Sequence, residues 1–381
     1  MTFLSKIFCC TVLFFNLSAI SVRVLLDEQK VPVWTLTAPQ GFAFKDAQNE
    51  KRYSLGAQYE KITITVSGSK LCVNGVKMPT TSLVIHPLKT GTTLDQNTYD
   101  GFFLVTQYNG VYCLINVLDS EDYVYSVLKT ESWPGWPLEM NKALAVAVRS
   151  YVFYQLKDAR KRRQPYHIRN TNHHQTYTGL YECKVRRDAV DQTQNLILSH
   201  KGQPILAMFD SCCGGILPRH VDSDIDFKKA PYLDRTYPCN FCKSWKYYSW
   251  TAQYSLDEFK EIMEDIVAGP IHDIKDIYTI KNKSNGMTKT LIAKTAKREH
   301  TFSARQMFRF FKNKVKSLSF NAERKAKNVI ITGKGYGHHM GMCQWGAREM
   351  VDQGWAFDEI LDFFYPNTTF MRVETSKKSG E

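Results

Sequence analysis

Near its C-terminal end the chain reads Gly-Lys-Gly-Tyr-Gly-His-His-Met-Gly-Met-Cys-Gln-Trp-Gly-Ala, residues 333–347. Glycines surround two adjacent histidines, His338 and His339, and a Gln344-Trp345 pair. A phosphate loop would end in Gly-Lys followed by Ser or Thr, and a zinc protease would carry His-Glu-x-x-His; neither pattern stands here. Neighbouring residues on a strand or turn point apart, so the two histidines are poorly placed to share one metal. A second stretch of chemical interest lies far upstream. In "KTESWPGW" Glu131 stands beside Trp133 and Trp136. Aromatic neighbours withdraw a carboxyl from water and raise its pKa, the setting of a general acid. Glu139 is the rival carboxylate, but its place in a first helical turn has a structural explanation. Glu121 and Asp122 read as loop or cap residues.

Other nucleophiles and ligands are less pointed. Ser211 precedes Cys212-Cys213-Gly214-Gly215, and no Gly-x-Ser-x-Gly elbow surrounds it. His167, His173 and His174 form a small cluster in sequence, which reads by default as surface histidines. Cys239-Asn-Phe-Cys242 is a Cys-x-x-Cys pair that Cys212-Cys213 would complete to four thiolates. There is no second Cys-x-x-Cys, so disulfides or free thiols are the preferred reading.

These residues must be positioned by a chain of 381 residues, enough for two or three domains. A hydrophobic share of 43% excludes global disorder. The formal net charge of +13 favours an anionic partner. The apolar run of residues 7–20 is short for a membrane span and suits a signal-peptide core, with cleavage after Ser21. Export sets nucleic acid aside as a partner and points the charge at an envelope polymer. The expected location is the periplasm or cell envelope, with membrane association if the segment stays uncleaved.

The expected organisation is a signal peptide over 1–21, a β-rich region over 22–118, an α+β domain over 119–370 and a flexible tail over 371–381. In the β-rich region, turns fall at Ser-Gly-Ser, Asn74-Gly75 and Asn109-Gly110. The stretch from Asp119 predicts a turn and then a helix from near Pro137, proline being tolerated in a first helical turn. That helix is apolar almost all round from Ala143 to Tyr154, so its charged Arg149 needs a buried partner. A basic, loop-like segment follows from Lys157. Further on, the pattern predicts a strand pair around Lys201-Gly202, a helix over 255–268 and a hairpin at Ser284-Asn285-Gly286. It then predicts a helix capped by Ser303, a strand into the glycine motif, and a helix from Gly341 to Gly354.

Several separated stretches resemble the SpoIID/LytB family, named for stage II sporulation protein D. They are "YVYSVLKTESWPGWPLEMNKALAVAVRSYVFYQL", "HHQTYTGL", "FDSCCGG", "APYL", "FRFF" and "GKGYGHHMGMCQWGAREMVDQG" with "ILDFFYPNT". They occur in family order across roughly residues 119–370. The resemblance implies a peptidoglycan enzyme, a lytic transglycosylase acting on glycan strands stripped of stem peptides. Other members modify cell-wall amidases, which leaves a non-catalytic binder as the alternative. Glu131 matches the position regarded as the catalytic glutamate, and Trp133 is a sugar-stacking candidate beside it. Arg149 and Tyr151 match an Arg-x-Tyr element on the buried helix, where an internal hydrogen-bonding post is slightly preferred over substrate contact, and Gln175 and Tyr177 match a Gln-x-Tyr element. With Ser211, His338 and Gln344 they form the expected substrate-contact set. His339 stands where relatives often carry Gly. No cofactor is required; zinc would fall to His173 and His174, beside which no Cys stands.

Overall fold

A computed structural model describes residues 20–55, 58–171, 174–221, 224–283, 287–311 and 314–373. The expected signal core, His173, the turn at Ser284-Asn285-Gly286 and most of the tail lie outside them. The architecture is α+β, and the chain divides into two compact units, residues 1–206 with 369–381, and residues 207–368.

The first unit begins as β structure. Strand Ser21–Gln29 pairs antiparallel with Val111–Asp119, inside a seven-stranded sheet, and a second sheet has six strands. Alternation puts every second side chain on one face, so Lys61–Ser67 buries Ile62 and Ile64 and exposes its ends. The turns fall where Asn-Gly stands. Asn74-Gly75 and Asn109-Gly110 both take positive φ, 49° and 80° in the first and 49° and 78° in the second. These pairs tolerate the left-handed region that a two-residue hairpin requires.

At Asp119 the chain turns helical at once. Helix α1, Ser120–Glu131, is capped by Asp119, whose carboxylate accepts from the Glu121 N–H at 2.7 Å. The turn expected here is thus a helix, and Glu121 and Asp122 occupy its first turn, where acidic side chains suit the dipole. Helix α2, Leu138–Arg162, places Pro137 at its N-cap. It also runs further than expected. The basic run after Lys157 forms its last turns, where cations meet the negative helix end, and Arg163 closes it in the left-handed conformation. Helix α3 spans Lys184–Gln192. The hairpin Leu196–His200 with Gln203–Pro204 turns at Lys201-Gly202 and gains Thr369–Arg372 as a third strand. Ser150 Oγ on α2 accepts the Leu198 N–H at 2.8 Å and so ties helix to hairpin.

The second unit is built around two three-stranded sheets. One joins Ser249–Ser255, Asn328–Lys334 and Phe320–Lys325; the other joins Ile274–Lys281, Thr288–Thr295 and Glu299–Ser303. Helix α4, Leu256–Val267, carries a capping box in which Ser255 and Glu258 exchange hydrogen bonds. It buries Phe259 and Met263 among Ile277, Leu291, Phe311 and Ile331. Helix α5, Ala304–Phe308, is short, and Ser303 occupies its N-cap position without a side-chain cap bond. A short parallel pair, Phe209–Asp210 with Met342–Cys343, feeds helix α6, Gln344–Asp352. Gly354 follows at φ 88°, where the sequence expected the helix to end. Helix α7, Phe357–Phe364, completes the unit. Among the described residues no helix is long and apolar enough to cross a membrane.

Candidate functional site

In the first unit, Glu131 is the last residue of α1. The chain leaves the helix through Trp133-Pro134-Gly135-Trp136, where the Trp136 N–H donates to Trp133 O at 3.3 Å. Proline second and glycine third, with Gly135 at φ 79°, are the residues a type II turn requires. The turn leaves Trp133 47% exposed and buries Trp136. Glu131 is half-buried, and the Thr176 N–H approaches its Oε1 at 3.4 Å. Burial pushes the Glu131 carboxyl above the usual carboxylate range, opposed by that N–H. Its place at the negative end of a helix acts in the same direction as burial. The shift favours the protonated carboxyl, two residues ahead of an exposed indole.

The other expected contact residues of this unit turn inward. Arg149 is fully buried, with Nε on Glu121 Oε1 at 2.8 Å and Nη2 on Glu121 Oε2 at 2.6 Å. Its Nη1 donates to Leu196 O at 3.0 Å. This is the buried partner the sequence required, and it comes from a residue read as a loop or cap. Tyr177 is buried and donates to Asn116 Oδ1 at 2.5 Å, while Gln175 Oε1 accepts from Tyr123 OH at 3.1 Å. Tyr151 is 8% exposed and meets His174 edge-on at 6.2 Å; burial pushes its phenol up to about 12. These four side chains therefore brace the α1–α2 framework and offer little surface to a polymer. Glu139 pairs with Lys142 at 2.7 Å. His167 is not a surface residue. It is buried against Arg23, whose Nε lies 3.1 Å from His167 Nε2, and burial with that cation pushes the imidazole down to about 3. A guanidinium in that position repels a metal ion.

In the second unit the glycine motif closes on its own neighbours. A Cβ on Gly337 would lie 2.6 Å from Asp210 Cβ, and one on Gly335 would lie 2.5 Å from the His339 ring. The glycines thus make room for protein atoms. His339 is buried and takes φ 62°, the left-handed angle that glycine adopts without penalty. Two bonds hold it there: its N–H donates to Asp210 Oδ2 at 2.6 Å, and its Nδ1 lies 3.0 Å from Cys213 O. A carbonyl only accepts, so Nδ1 carries the proton; burial pushes the ring down to about 4 and keeps it neutral. Burial also pushes the Asp210 carboxyl well above the usual range. His338 is exposed, and its Nδ1 accepts the Met340 N–H at 3.1 Å. Gln344 is buried as the first residue of α6. Ser211 is half-buried, and its carbonyl accepts the Trp345 N–H at 3.1 Å.

Beside this motif lies an aromatic face with cations over it. Trp345 stacks on Trp245 with ring centres 3.5 Å apart. Tyr336 meets Tyr247 edge-on at 5.2 Å, and Lys316 Nζ lies 5.3 Å from the Tyr336 ring centre and 5.1 Å from that of Tyr247. Four buried cysteines gather in the same unit: the Sγ atoms of Cys213, Cys239, Cys242 and Cys343 lie within 4.8 Å of one another. The sequence suggested three of these positions and missed Cys343, whose only signal was its place ahead of a helix. Asp210 had no signal at all.

Fold, carboxyl turn and glycine motif together define an α+β protein of the stage II sporulation type. Residues 108–200 match the family described as Stage II sporulation protein, SpoIID. The chain is 31% identical over 367 residues to an uncharacterized protein of Brachyspira hyodysenteriae, covering 94% of this chain and 95% of that one. It is 26% identical over 269 residues to Stage II sporulation protein D of Bacillus subtilis, covering 67% and 75%. It is 22% identical over 296 residues to the Amidase enhancer of Bacillus subtilis, covering 64% of this chain and 39% of that one. The chain belongs to the SpoIID family.

Proposed function

We propose that the protein is an envelope lytic transglycosylase that cleaves peptidoglycan glycan strands with Glu131 as acid and then base. The observation that carries this reading is the Glu131 carboxyl, shielded at the end of α1 with its pKa raised, beside the exposed Trp133. The protonated carboxyl gives its proton to the glycosidic oxygen as the C1–O bond breaks. The resulting carboxylate takes the proton of the sugar's C6 hydroxyl as that oxygen bonds to C1. The product is a 1,6-anhydro end, no water is consumed, and the acid is regenerated. One carboxyl suffices because the nucleophile belongs to the substrate, unlike the two-carboxylate hydrolases. The net charge of +13 and the Lys316–Tyr336–Tyr247 face suit an anionic, sugar-rich polymer. The test is mass spectrometry of products from defined glycan strands, with and without stem peptides. Anhydro ends from wild type and none from folded Glu131→Gln support the reading; normal cleavage by Glu131→Gln sinks it.

Similarity to an amidase enhancer favours a second reading, a glycan binder that stimulates a cell-wall amidase. Its signature is amidase stimulation that survives Glu131→Gln, with no anhydro product from the purified protein.

A further inference from the structure

We propose that Cys213, Cys239, Cys242 and Cys343 bind one zinc ion as a structural centre of the second unit. This site is separate from the Glu131 chemistry and does not depend on it. The sulfur geometry is that of a tetrathiolate. Zn–S bonds of about 2.3 Å in a tetrahedron place the sulfurs about 3.8 Å apart, and Cys213 Sγ lies 3.7 Å from Cys242 Sγ. A disulfide needs sulfurs about 2.05 Å apart, and all four cysteines are free.

The surroundings are those of thiolates. The Cys213 N–H donates to Cys343 Sγ at 3.2 Å, and the Gly346 N–H donates to the same sulfur at 3.3 Å. Cys343 is the N-cap of α6, where the helix dipole favours a negative sulfur. Backbone donors on ligating sulfurs are the outer-shell support that metal sites carry. Gly346 adds an independent sign. A Cβ there would lie 2.6 Å from Cys239 Sγ, so the first turn of α6 lies hard against the sulfur cluster. All four side chains are at most 2% exposed. Four buried thiolates without a cation would each carry an uncompensated desolvation cost of several kcal/mol.

The place in the fold explains the need. Among the described residues from Ser211 to Tyr248, regular structure is limited to three short 3₁₀ turns. A stretch without helices or strands has few backbone ladders to fix it, and a metal cross-link supplies a fixed point. The four ligands come from three segments: the turn after strand Phe209–Asp210, residues 239–242 running into the turn Phe241–Ser244, and the strand leading into α6. Zinc there fastens the loop-rich stretch to the glycine motif, including His339, which leans on the Cys213 carbonyl.

Elemental analysis of the full chain, purified without added metal, tests the proposal. Zinc at one equivalent per chain is expected, released by a mercurial that titrates thiols. Exchange with cobalt(II) should give the absorption of a tetrahedral thiolate complex. Cys239→Ser and Cys343→Ser each lose the metal; Cys183→Ser, on a cysteine of the other unit, keeps it. The wild-type measurements stand even if the variants fail to fold. Wild-type protein without metal whose thiols titrate freely, or peptide mapping that finds these cysteines in disulfides, overturns the proposal. Loss of zinc in Cys212→Ser with retention in Cys343→Ser overturns the ligand assignment.

Discussion

Arg149 holds Glu121 through two hydrogen bonds, Nε to Oε1 at 2.8 Å and Nη2 to Oε2 at 2.6 Å, joining α2 to the first turn of α1. Glu131 stands at the other end of α1, so this pair fixes the helix that carries the candidate acid. Breaking a buried pair strands one charge and costs about 3–5 kcal/mol. Arg149→Met should therefore lower the urea-unfolding free energy by that order. The double variant Arg149→Met with Glu121→Leu should recover much of the loss, because no charge is left stranded. A double variant as unstable as the single one would show that the pair is not what holds the two helices.

Glu131→Gln should separate stability from chemistry. The folded pKa of Glu131 lies above its unfolded value. Below the unfolded pKa neither state ionises and nothing is lost. As pH rises past it the unfolded chain ionises first, so stability falls until the folded pKa is passed. Glu131→Gln removes that penalty, and its Tm at neutral pH should equal or exceed that of wild type. In the lytic reaction, the same raised pKa makes kcat/KM fall as pH climbs through it, since the donor loses its proton. Melting scans across pH and a pH–rate profile check the two halves separately.

His339 offers a test of backbone strain. At φ 62° any L side chain carries a cost of about 1–2 kcal/mol that glycine avoids. His339→Ala and His339→Gly both lose the ring and its bond to Cys213 O. Only His339→Gly also sheds the strain, so it should be the more stable of the two by about 1 kcal/mol. Urea midpoints with His339→Ala at or above His339→Gly would show that the left-handed angle is not held in solution.

Gly346 reverses the usual helix preference. Alanine in a helix is favoured over glycine by about 1 kcal/mol. Here an added Cβ would lie 2.6 Å from Cys239 Sγ. Gly346→Ala should therefore lower Tm, and a raised Tm would mean that α6 does not lie against the cysteine cluster.

Trp133 is the aromatic residue of the turn with surface to offer. Trp133→Ala should raise KM for glycan strands and leave the protein folded, since about half of the indole is exposed. A glycan affinity unchanged by the substitution, measured on folded protein, would remove Trp133 from the binding surface.

What the sequence determined by itself was local. Asn-Gly pairs set two hairpin turns because few residues accept positive φ there. The pattern over 255–268 marked α4, whose start Ser255 and Glu258 fix by bonds made within one turn. The apolar run around Arg149 declared a buried helix and the need for a partner charge, and the motif around Glu131 was recognisable as a string. The tertiary structure decided the pairings that cross the chain. Arg149 found Glu121 on a helix that local pattern read as a turn, because Asp119 caps it and packing on α2 sustains it. Gln175 and Tyr177 turned inward to Tyr123 and Asn116, where the same letters read equally well as sugar contacts. Cys343 joined Cys213 across 130 residues, a closure that no local propensity encodes. Hydrogen bonds within a turn are written in neighbouring residues, whereas a side chain's partner depends on which distant segments the fold brings to it.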